Sequence, residues 1–274
     1  MLKKILNIAT FLVSANLCGQ TSELQKEQAS SNYDQAKSKV VEKFKNVKPG
    51  KFGEFVPGMK TKIITTKKII ALTFDACGGP TGSELDTALI EFLKTEKIPA
   101  TLFISGSWIE RNDSLFRQLS LDPLFEIENH GFSHCPCSVT TNSKYGIGGT
   151  GSVSAAFDEI EMNARTIELY TKRKPQFFRP AAASADQACV AIANELKEKI
   201  ISFDVLSGDA VPGTPADVIR KNILKKVKPG SIVIMHMNHP ERNGFEALTE
   251  VIPELRKQGY EFVKLEGRSL SGKK

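Results

Sequence analysis

Several patterns that mark other classes of protein are missing from this sequence. No segment beyond the N-terminus approaches transmembrane length, so stable membrane insertion is not expected. No Gly-x-Gly-x-x-Gly follows the first predicted strand, which disfavours a dinucleotide-binding protein. The lysines are spread along the chain and lack the interleaved aromatic residues of a nucleic-acid surface, so nucleic acid is not an expected partner.

The composition that is present is that of an ordinary globular protein. The chain has 274 residues, 41% of them hydrophobic and 25% charged, which is enough for one large domain or two small ones. Its formal net charge of +6 would allow a mild attraction to an anionic envelope polymer, although a merely solvated surface is the preferred interpretation.

Residues 1–19 have the pattern of an export signal. Lysines precede an apolar run over residues 5–13, and small residues then lead to Cys18-Gly19. Cleavage there would give a periplasmic or extracellular chain. The alternative is a lipoprotein anchored through Cys18, which the preceding leucine disfavours. Residues 20–60 are predicted to be a polar arm or linker, and residues 61–274 to be the folded domain.

After Lys67, strand-like apolar runs alternate with helical segments. This alternation indicates a parallel α/β fold, either an incomplete (β/α) barrel of about seven strands or a doubly wound sheet. The predicted strands are Ile69–Asp75, Ala100–Ser105, Phe125–Asn129, Gln176–Arg179, Ile200–Asp204, Ser231–His236 and Glu261–Leu265. The clearest predicted helices are Leu85–Leu93, Val153–Leu169 and Phe245–Gln258, the last with a kink at Pro253.

The first predicted strand leads directly to a candidate catalytic carboxylate. It shows no alternation of polar and apolar residues, as expected of a parallel strand that is covered on both faces. Asp75 follows, and Gly78 and Gly79 then end the strand and let the backbone approach whatever Asp75 contacts. The alternative is an Asp that only ends a strand or caps a helix.

Polar residues also follow the later strands, where an α/β barrel keeps its active site. The chain has four histidines, and all of them follow predicted strand ends. The candidate site residues are Asp75, His130, His134, Arg179, Asp209 and His236.

His130 and His134 are the candidate metal ligands. Their i, i+4 spacing would place both imidazoles on one side of a helical turn, and two histidines with a carboxylate are a common catalytic zinc set. Two alternatives stay open: a histidine pair satisfied by local hydrogen bonds, and a structural zinc site that includes Cys135 and Cys137. His239 is interpreted as a hydrogen-bonded loop residue rather than an additional ligand.

An exported chain can form disulfides. Beyond the predicted signal the sequence contains Cys77, Cys135, Cys137 and Cys189. Two interpretations have equal weight: four free thiols, or a bridge from Cys77 to Cys135 or Cys137.

Five motifs in chain order resemble those of the NodB-homology polysaccharide deacetylases, which form carbohydrate esterase family 4. The resemblance covers the chain from about Lys67 to Leu265, and it implies a distorted (β/α) barrel, in agreement with the strand pattern. The motifs are Thr73-Phe74-Asp75-Ala76, His130 with His134, Arg179-Pro180, the partial match Leu206-Ser207-Gly208-Asp209-Ala210, and Ile234-Met235-His236.

The resemblance also implies roles for these residues. Asp75 would be the general base, oriented by Arg179, that activates the attacking water. His236, supported by Asp209, would protonate the departing amine. A backbone N–H near Gly78 or at Arg179 would help to stabilise the oxyanion.

The implied cofactor is a divalent metal, zinc or similar, at His130 and His134, but one ligand of the family is missing. The second Asp of the family's first motif is Ala76 here, and a methyl group cannot bind a cation. Cys77 is the nearest replacement, since a thiolate suits zinc. The sequence Asp-Ala-Cys-Gly-Gly is typical of a variant subgroup of the family.

The expected function is that of an exported hydrolase of C–N bonds, namely a metal-dependent deacetylase of an N-acetylated polysaccharide or peptidoglycan-type glycan. A metal-free hydrolase of small amides is one alternative, because the family includes such relatives. A non-catalytic glycan-binding protein is the other, suggested by Ala76 and Leu206. Retention of both an acid and a base favours the first function. The loop Gly146–Gly151 is expected to shape one rim of the cleft.

Overall fold

The computed structural model describes residues 30–272 and divides the chain into two compact units. The first unit, Met1–Lys45, forms helix α1 over residues 30–44 of its described part. The predicted export signal lies outside the described residues. Within residues 30–272, none of the helices combines the length and the apolar character that crossing a membrane would need.

The second unit, Asn46–Lys274, contains the remaining described elements. Its strands are β1 (Phe52–Gly53), β2 (Lys62–Ile63), β3 (Ile69–Ala76), β4 (Ala100–Ile104), β5 (Phe125–Asn129), β6 (Ser143–Lys144), β7 (Ile147–Gly148), β8 (Phe177–Phe178), β9 (Ala185–Asp186), β10 (Lys199–Ile200), β11 (Val205–Leu206), β12 (Ile232–His236), β13 (Glu261–Phe262) and β14 (Leu270–Ser271). Its helices are α2 (Thr87–Thr95), α3 (Gly106–Arg111), α4 (Asp113–Leu121), α5 (Val153–Thr171), α6 (Gln187–Glu195), α7 (Ala216–Lys226) and α8 (Gly244–Lys257).

Parallel strands form one curled sheet in the order β10, β8, β5, β4, β3, β12, β11. Strand β13 also pairs in parallel with the first residues of β3. The central strands β3, β4 and β5 are buried along their whole length, because helices cover the outer face of the sheet and its own side chains fill the concave face. The predicted incomplete (β/α) barrel is confirmed.

Alternate residues of β3 enter two different apolar clusters. Phe74 and Ala76 face outward and pack in the cluster between the sheet and the helices. Ala71 faces inward and shares the interior cluster with Phe103 of the neighbouring strand β4. Because side chains alternate along a strand, Asp75 lies on the inward face with Ala71. This alternation decides which residues at the end of β3 can reach the site.

One predicted strand, Ile200–Asp204, is wrong. The chain forms β10 before it leaves the sheet and β11 after it returns, and these two strands lie at opposite edges. Between them, the Lys60 backbone donates to the Ile200 carbonyl at 2.8 Å and accepts from the Ser202 N–H at 2.7 Å. A segment distant in sequence therefore pairs with this stretch, and a local hydrophobic pattern carries no signal for such a partner.

Cys137 and Cys189 form a disulfide, whereas Cys77 and Cys135 are free thiols. Both interpretations of the cysteines, four free thiols and a bridge from Cys77 to Cys135 or Cys137, are therefore wrong. Cys137 pairs with Ala185 in an isolated β-bridge, which brings it alongside the start of α6 and its cysteine. The disulfide thus ties the segment after the predicted histidine pair to the body of the barrel.

Candidate active site

Four parallel strands deliver polar side chains to one end of the barrel. Asp75 lies near the end of β3, and strand pairing places it beside His236 at the end of β12. His130 follows β5 directly, and Arg179 follows β8 directly. The strand-end residues that the sequence singled out therefore converge at the carboxyl ends of the strands.

The Asp75 carboxylate is held by Arg179 inside the barrel. Arg179 Nη1 donates to Asp75 Oδ1 at 2.7 Å, and the two side chains are 0% and 3% exposed. Arg179 Nη2 also donates to Thr73 Oγ1 at 2.9 Å and to the Ser202 carbonyl at 3.3 Å. The other carboxylate oxygen, Oδ2, is left facing His130 Nε2 at 3.8 Å.

A backbone bond fixes the orientation of the His130 ring. His130 Nδ1 donates to the Arg179 carbonyl at 2.6 Å, so Nε2 is the nitrogen that points into the site. His130 Nε2 lies 3.8 Å from Asp75 Oδ2 and 3.8 Å from Cys77 Sγ. Burial lowers the pKa of His130, but Asp75 and Cys77 raise it by more, and the net shift is upward. An Nδ1–H bound to a carbonyl is the arrangement that orients a histidine ligand for a metal.

His130 and His134 do not lie on a helical turn, contrary to the prediction from their spacing. The segment is a loop in which Gly131 and His134 have left-handed φ values of 82° and 60°. The loop nevertheless brings the two rings together, with their centroids 4.8 Å apart. A side chain added at Gly131 would collide with the Glu159 carboxylate, so glycine is required there.

Glu159 of α5 is a structural member of the site that the sequence did not reveal. Its carboxylate accepts the Ser133 N–H and the Cys135 N–H, both at 2.9 Å, and so holds the loop on either side of the second histidine. Its backbone carbonyl also accepts the Phe132 N–H at 2.9 Å. The only sequence signal was an acidic residue beside the apolar face of a predicted helix.

Cys77 forms a cluster of three potential metal ligands with His130 and His134. One ligand atom from each residue lies within 4.8 Å of the others. With Zn–S near 2.3 Å and Zn–N near 2.0 Å, the ligands of a tetrahedral zinc ion stand about 3.3–3.7 Å apart, so the cluster fits one such cation after a small closing movement. Burial raises the pKa of Cys77, but the charge of His134 and hydrogen bonds with His130, His134 and His236 lower it well below its usual value.

The two other cysteines suggested for a zinc site do not join this cluster in the described chain. Cys137 is bonded to Cys189, and burial raises the pKa of Cys135 to about 11. His239 Nδ1 donates to Glu241 Oε1 at 2.9 Å, in agreement with its interpretation as a hydrogen-bonded loop residue.

His236 and Asp209 form the other half of the site. His236 Nδ1 donates to Asp209 Oδ1 at 3.2 Å, and the His236 backbone N–H donates to Asp209 Oδ2 at 2.6 Å. Ser207 Oγ donates to Asp209 Oδ1 at 2.8 Å. Burial lowers the pKa of His236, but the Asp209 charge raises it by more, and the result is a pKa well above the usual value. The pair favours a protonated imidazole beside an ionised carboxylate.

Two backbone N–H groups considered as oxyanion donors are already engaged. The Gly78 N–H donates to the Gly82 carbonyl at 2.9 Å, which closes a turn after β3. The Arg179 N–H donates to the Asn129 carbonyl at 2.8 Å, which extends the pairing of β8 with β5. Neither group is therefore available to a substrate in this conformation.

An apolar wall stands on the inward face next to the end of β12. Ala182 and Ala183 have left-handed φ values of 52° and 46°, a strained conformation for alanine. Ala183 packs with Phe203 and Ile234, and Leu206, which is 47% exposed, is paired in register with Ile234. This wall differs in chemistry from the cluster of charged and polar side chains described above.

The role of Gly146–Gly151 as a rim of the cleft stays a prediction.

The sequence has known relatives. Residues 62–201 match the model of a family described as polysaccharide deacetylase. The chain is 29% identical over 206 residues to a peptidoglycan-N-acetylglucosamine deacetylase of Bacillus cereus, a match that covers 74% of this chain and 88% of that protein. It is 27% identical over 179 residues to the uncharacterized protein YlxY of Bacillus subtilis, covering 65% of this chain and 51% of YlxY. The chain thus spans about half the length of YlxY.

The fold also has solved counterparts. Wild-type BA3943 of Bacillus anthracis, a CE4 family pseudoenzyme, superposes with a TM-score of 0.64 at 27% identity, over 77% of this chain and 68% of that one. A BA3943 mutant with restored enzymatic activity gives a TM-score of 0.64 at 28% identity, over 77% of this chain and 70% of that one. Structures of this fold therefore occur both with and without activity.

Proposed function

The chain belongs to the polysaccharide deacetylase family, and on this premise we propose that it hydrolyses the N-acetyl group of an N-acetylated glycan. The observation that carries the proposal is the presence of a positioned carboxylate beside a positioned imidazole at one end of the barrel. Asp75 is oriented by Arg179 on one side, and His236 is oriented by Asp209 on the adjacent strand. A protein that only binds sugar has no need of both a positioned base and a positioned acid.

Asp75 is assigned the role of general base. Its Oδ1 is occupied by Arg179, whereas Oδ2 faces the interior of the site toward His130. Oδ2 would take a proton from the water that attacks the acetyl carbonyl carbon. The bonds from Arg179 keep the carboxylate in one orientation, so little reorganisation is needed during the reaction.

His236 is assigned the role of general acid. Its raised pKa keeps the imidazole protonated near neutral pH, and its Nδ1–H bond to Asp209 directs Nε2–H away from that carboxylate. When the C–N bond breaks, this proton would pass to the departing nitrogen. The products are acetic acid, which ionises to acetate in solution, and a free amino sugar, with one proton left on Asp75 and one removed from His236.

His130, His134 and Cys77 are the residues that would hold a divalent metal, zinc or similar. A cation bound there would polarise the substrate carbonyl and ease the ionisation of water. The protein's own contribution is to orient the ligands, through the Arg179 carbonyl on His130 and through Glu159 on the loop that carries His134.

The substrate class is proposed from a relative, and the location is proposed from the N-terminal sequence. The Bacillus cereus relative is named for deacetylation of peptidoglycan N-acetylglucosamine, and we infer a glycan of that type for this chain. Residues 1–19 have the pattern of an export signal, which would bring the enzyme to the envelope; anchoring through Cys18 is the alternative. N-terminal sequencing of the mature chain distinguishes cleavage of the export signal from anchoring through Cys18.

Two further functions have specific support. The replacement of the family's Asp ligand by Ala76 and the similarity of the fold to the pseudoenzyme BA3943 favour a glycan-binding protein without catalysis. The paired Asp75 and His236 without the family's usual ligand set would also allow metal-free hydrolysis of a small amide. These functions predict different results in one set of assays.

The test measures acetate release from N-acetylglucosamine oligomers and from peptidoglycan fragments by the purified chain, with and without added zinc. We expect release that falls about 100-fold or more in Asp75→Asn and in His236→Gln, as for loss of a general base or acid. Asp217→Asn, an exposed position on α7, is the matched control and should leave the rate unchanged. Glycan binding without acetate would support the binding protein. Hydrolysis of a small cyclic amide after chelation would support the metal-free enzyme.

A further inference from the structure

The end of β3 offers a thiol where the family's first motif has a carboxylate. Ala76 occupies the position of the missing Asp, and it is fully buried in the outer apolar cluster with Phe74. Cys77 is the first residue after β3, and its Sγ faces the interior of the site toward His130 Nε2. The end of the strand thus brings a sulfur atom into the site.

The Cys77 sulfur lies close to a ring nitrogen of each of the two histidines. Its Sγ is 3.8 Å from His130 Nε2, and one ligand atom from each of Cys77, His130 and His134 lies within 4.8 Å of the others. His130 already has its other ring nitrogen bound to a carbonyl, which leaves Nε2 as the ligand atom on the side of the sulfur. The residues thus surround one volume with two nitrogen donors and one sulfur donor.

The backbone at Cys77 is held firmly. Its carbonyl accepts Ser105 Oγ at 2.8 Å and Ser107 Oγ at 3.3 Å, from the start of α3. The chain then turns at Gly78, whose φ of 75° allows it to press against that helix. A ligand fixed in this way loses little conformational freedom when a metal binds.

We propose that Cys77 is the third protein ligand of the metal site, in place of the absent carboxylate, and that it makes the site selective for zinc. A set of two imidazoles and one thiolate suits the tetrahedral, borderline-soft Zn²⁺, as in other catalytic zinc sites that keep a fourth position open. Mg²⁺ and Mn²⁺ prefer oxygen ligands and octahedral geometry. The inference rests on the metal site of the proposed function, but it concerns ligation rather than the reaction.

Cobalt spectroscopy of the full chain tests this ligation directly. Co²⁺ is added to chelator-treated protein, because a thiolate ligand gives Co²⁺ an intense near-ultraviolet charge-transfer band that nitrogen and oxygen ligands do not give. We expect this band at one equivalent, its loss on addition of Zn²⁺, and its persistence in a large excess of Mg²⁺ or Mn²⁺. No Co²⁺ binding, or binding without the band, would overturn the proposal.

Three variants identify the sulfur. Cys77→Ser should abolish the band and weaken Co²⁺ binding by at least about 100-fold, the upper range seen even for changes around a metal site. Cys77→Asp should bind Co²⁺ again without the band, which shows that the fold is intact and that the position itself reaches the metal. Cys135→Ser is the control for the other free thiol and should keep the band. A band that survives in Cys77→Ser, or disappears in Cys135→Ser, would refute the assignment.

The two proposals fail separately. If the protein shows the thiolate band but releases no acetate from any glycan tested, the proposed metal site stands and the proposed deacetylase function is refuted. If it releases acetate with Co²⁺ bound but shows no band, the deacetylase function stands and the assignment of Cys77 as a ligand is refuted. Thermal unfolding of each variant without metal shows whether a lost signal reflects the ligand or the fold.

Discussion

Removing Arg179 should leave a buried carboxylate without its partner. Arg179→Met keeps the apolar stem but deletes a guanidinium that is 0% exposed and that donates to Asp75, to Thr73 and to a backbone carbonyl. Breaking one partner of a buried ion pair costs about 3–5 kcal/mol, because the remaining charge stays desolvated. For a domain of this size the cost corresponds to a fall in melting temperature of about 6–20 °C.

Urea unfolding provides the assay, since the chain has a single tryptophan, Trp108, which is fully buried and reports the transition. In Arg179→Met combined with Asp75→Asn, where no charge remains, about 2 kcal/mol or more of the loss should be recovered. Arg117→Met is the matched control, because its ion pair with Asp113 is exposed and should contribute almost nothing. A loss in Arg179→Met as small as in the control, or no recovery in the double variant, would refute the reasoning.

Three further predictions concern charge and covalent structure. Asp209→Asn should lower the pKa of His236, since the carboxylate is what raises it, so the alkaline fall in acetate release should begin at a lower pH than in wild type. Burial raises the pKa of Glu198 in the folded protein well above 4.5, so the stability of the wild type should fall as the pH rises above 4.5. Glu198→Gln should remove this slope. Urea unfolding should therefore show that the stability of the variant relative to the wild type is greater at about pH 8 than at about pH 5. Reducing the disulfide between Cys137 and Cys189, which are 52 residues apart, should cost about 4 kcal/mol, measured as a lower urea midpoint with dithiothreitol than without it.

The family and the barrel were predicted from sequence, and both are confirmed. The reason is that five short motifs and a run of buried strands are local patterns, readable without knowing which strands pair. The roles of the individual site residues and the metal remain proposals. The location and the domain boundaries of the N-terminal region are proposals as well.

The predictions that failed all depended on contacts between distant segments. The strand expected at Ile200–Asp204 is split because Lys60 pairs with it, and the disulfide joins Cys137 to a cysteine on α6 that was never considered as a partner. The spacing of the histidines suggested a helical turn, but Glu159 holds that segment as a loop. None of these partners lies near its counterpart in the sequence.

The sequence by itself determined that Asp75 and Ala76 point to opposite faces of β3, because side chains alternate along any strand. Only the tertiary structure decided what surrounds Asp75 on its face. It placed Arg179 against one oxygen of Asp75 and turned the Nδ1 of His130 toward the Arg179 carbonyl. Alternation is a property of neighbouring residues, whereas the distance from a thiol to a histidine on another strand depends on how the whole sheet curls.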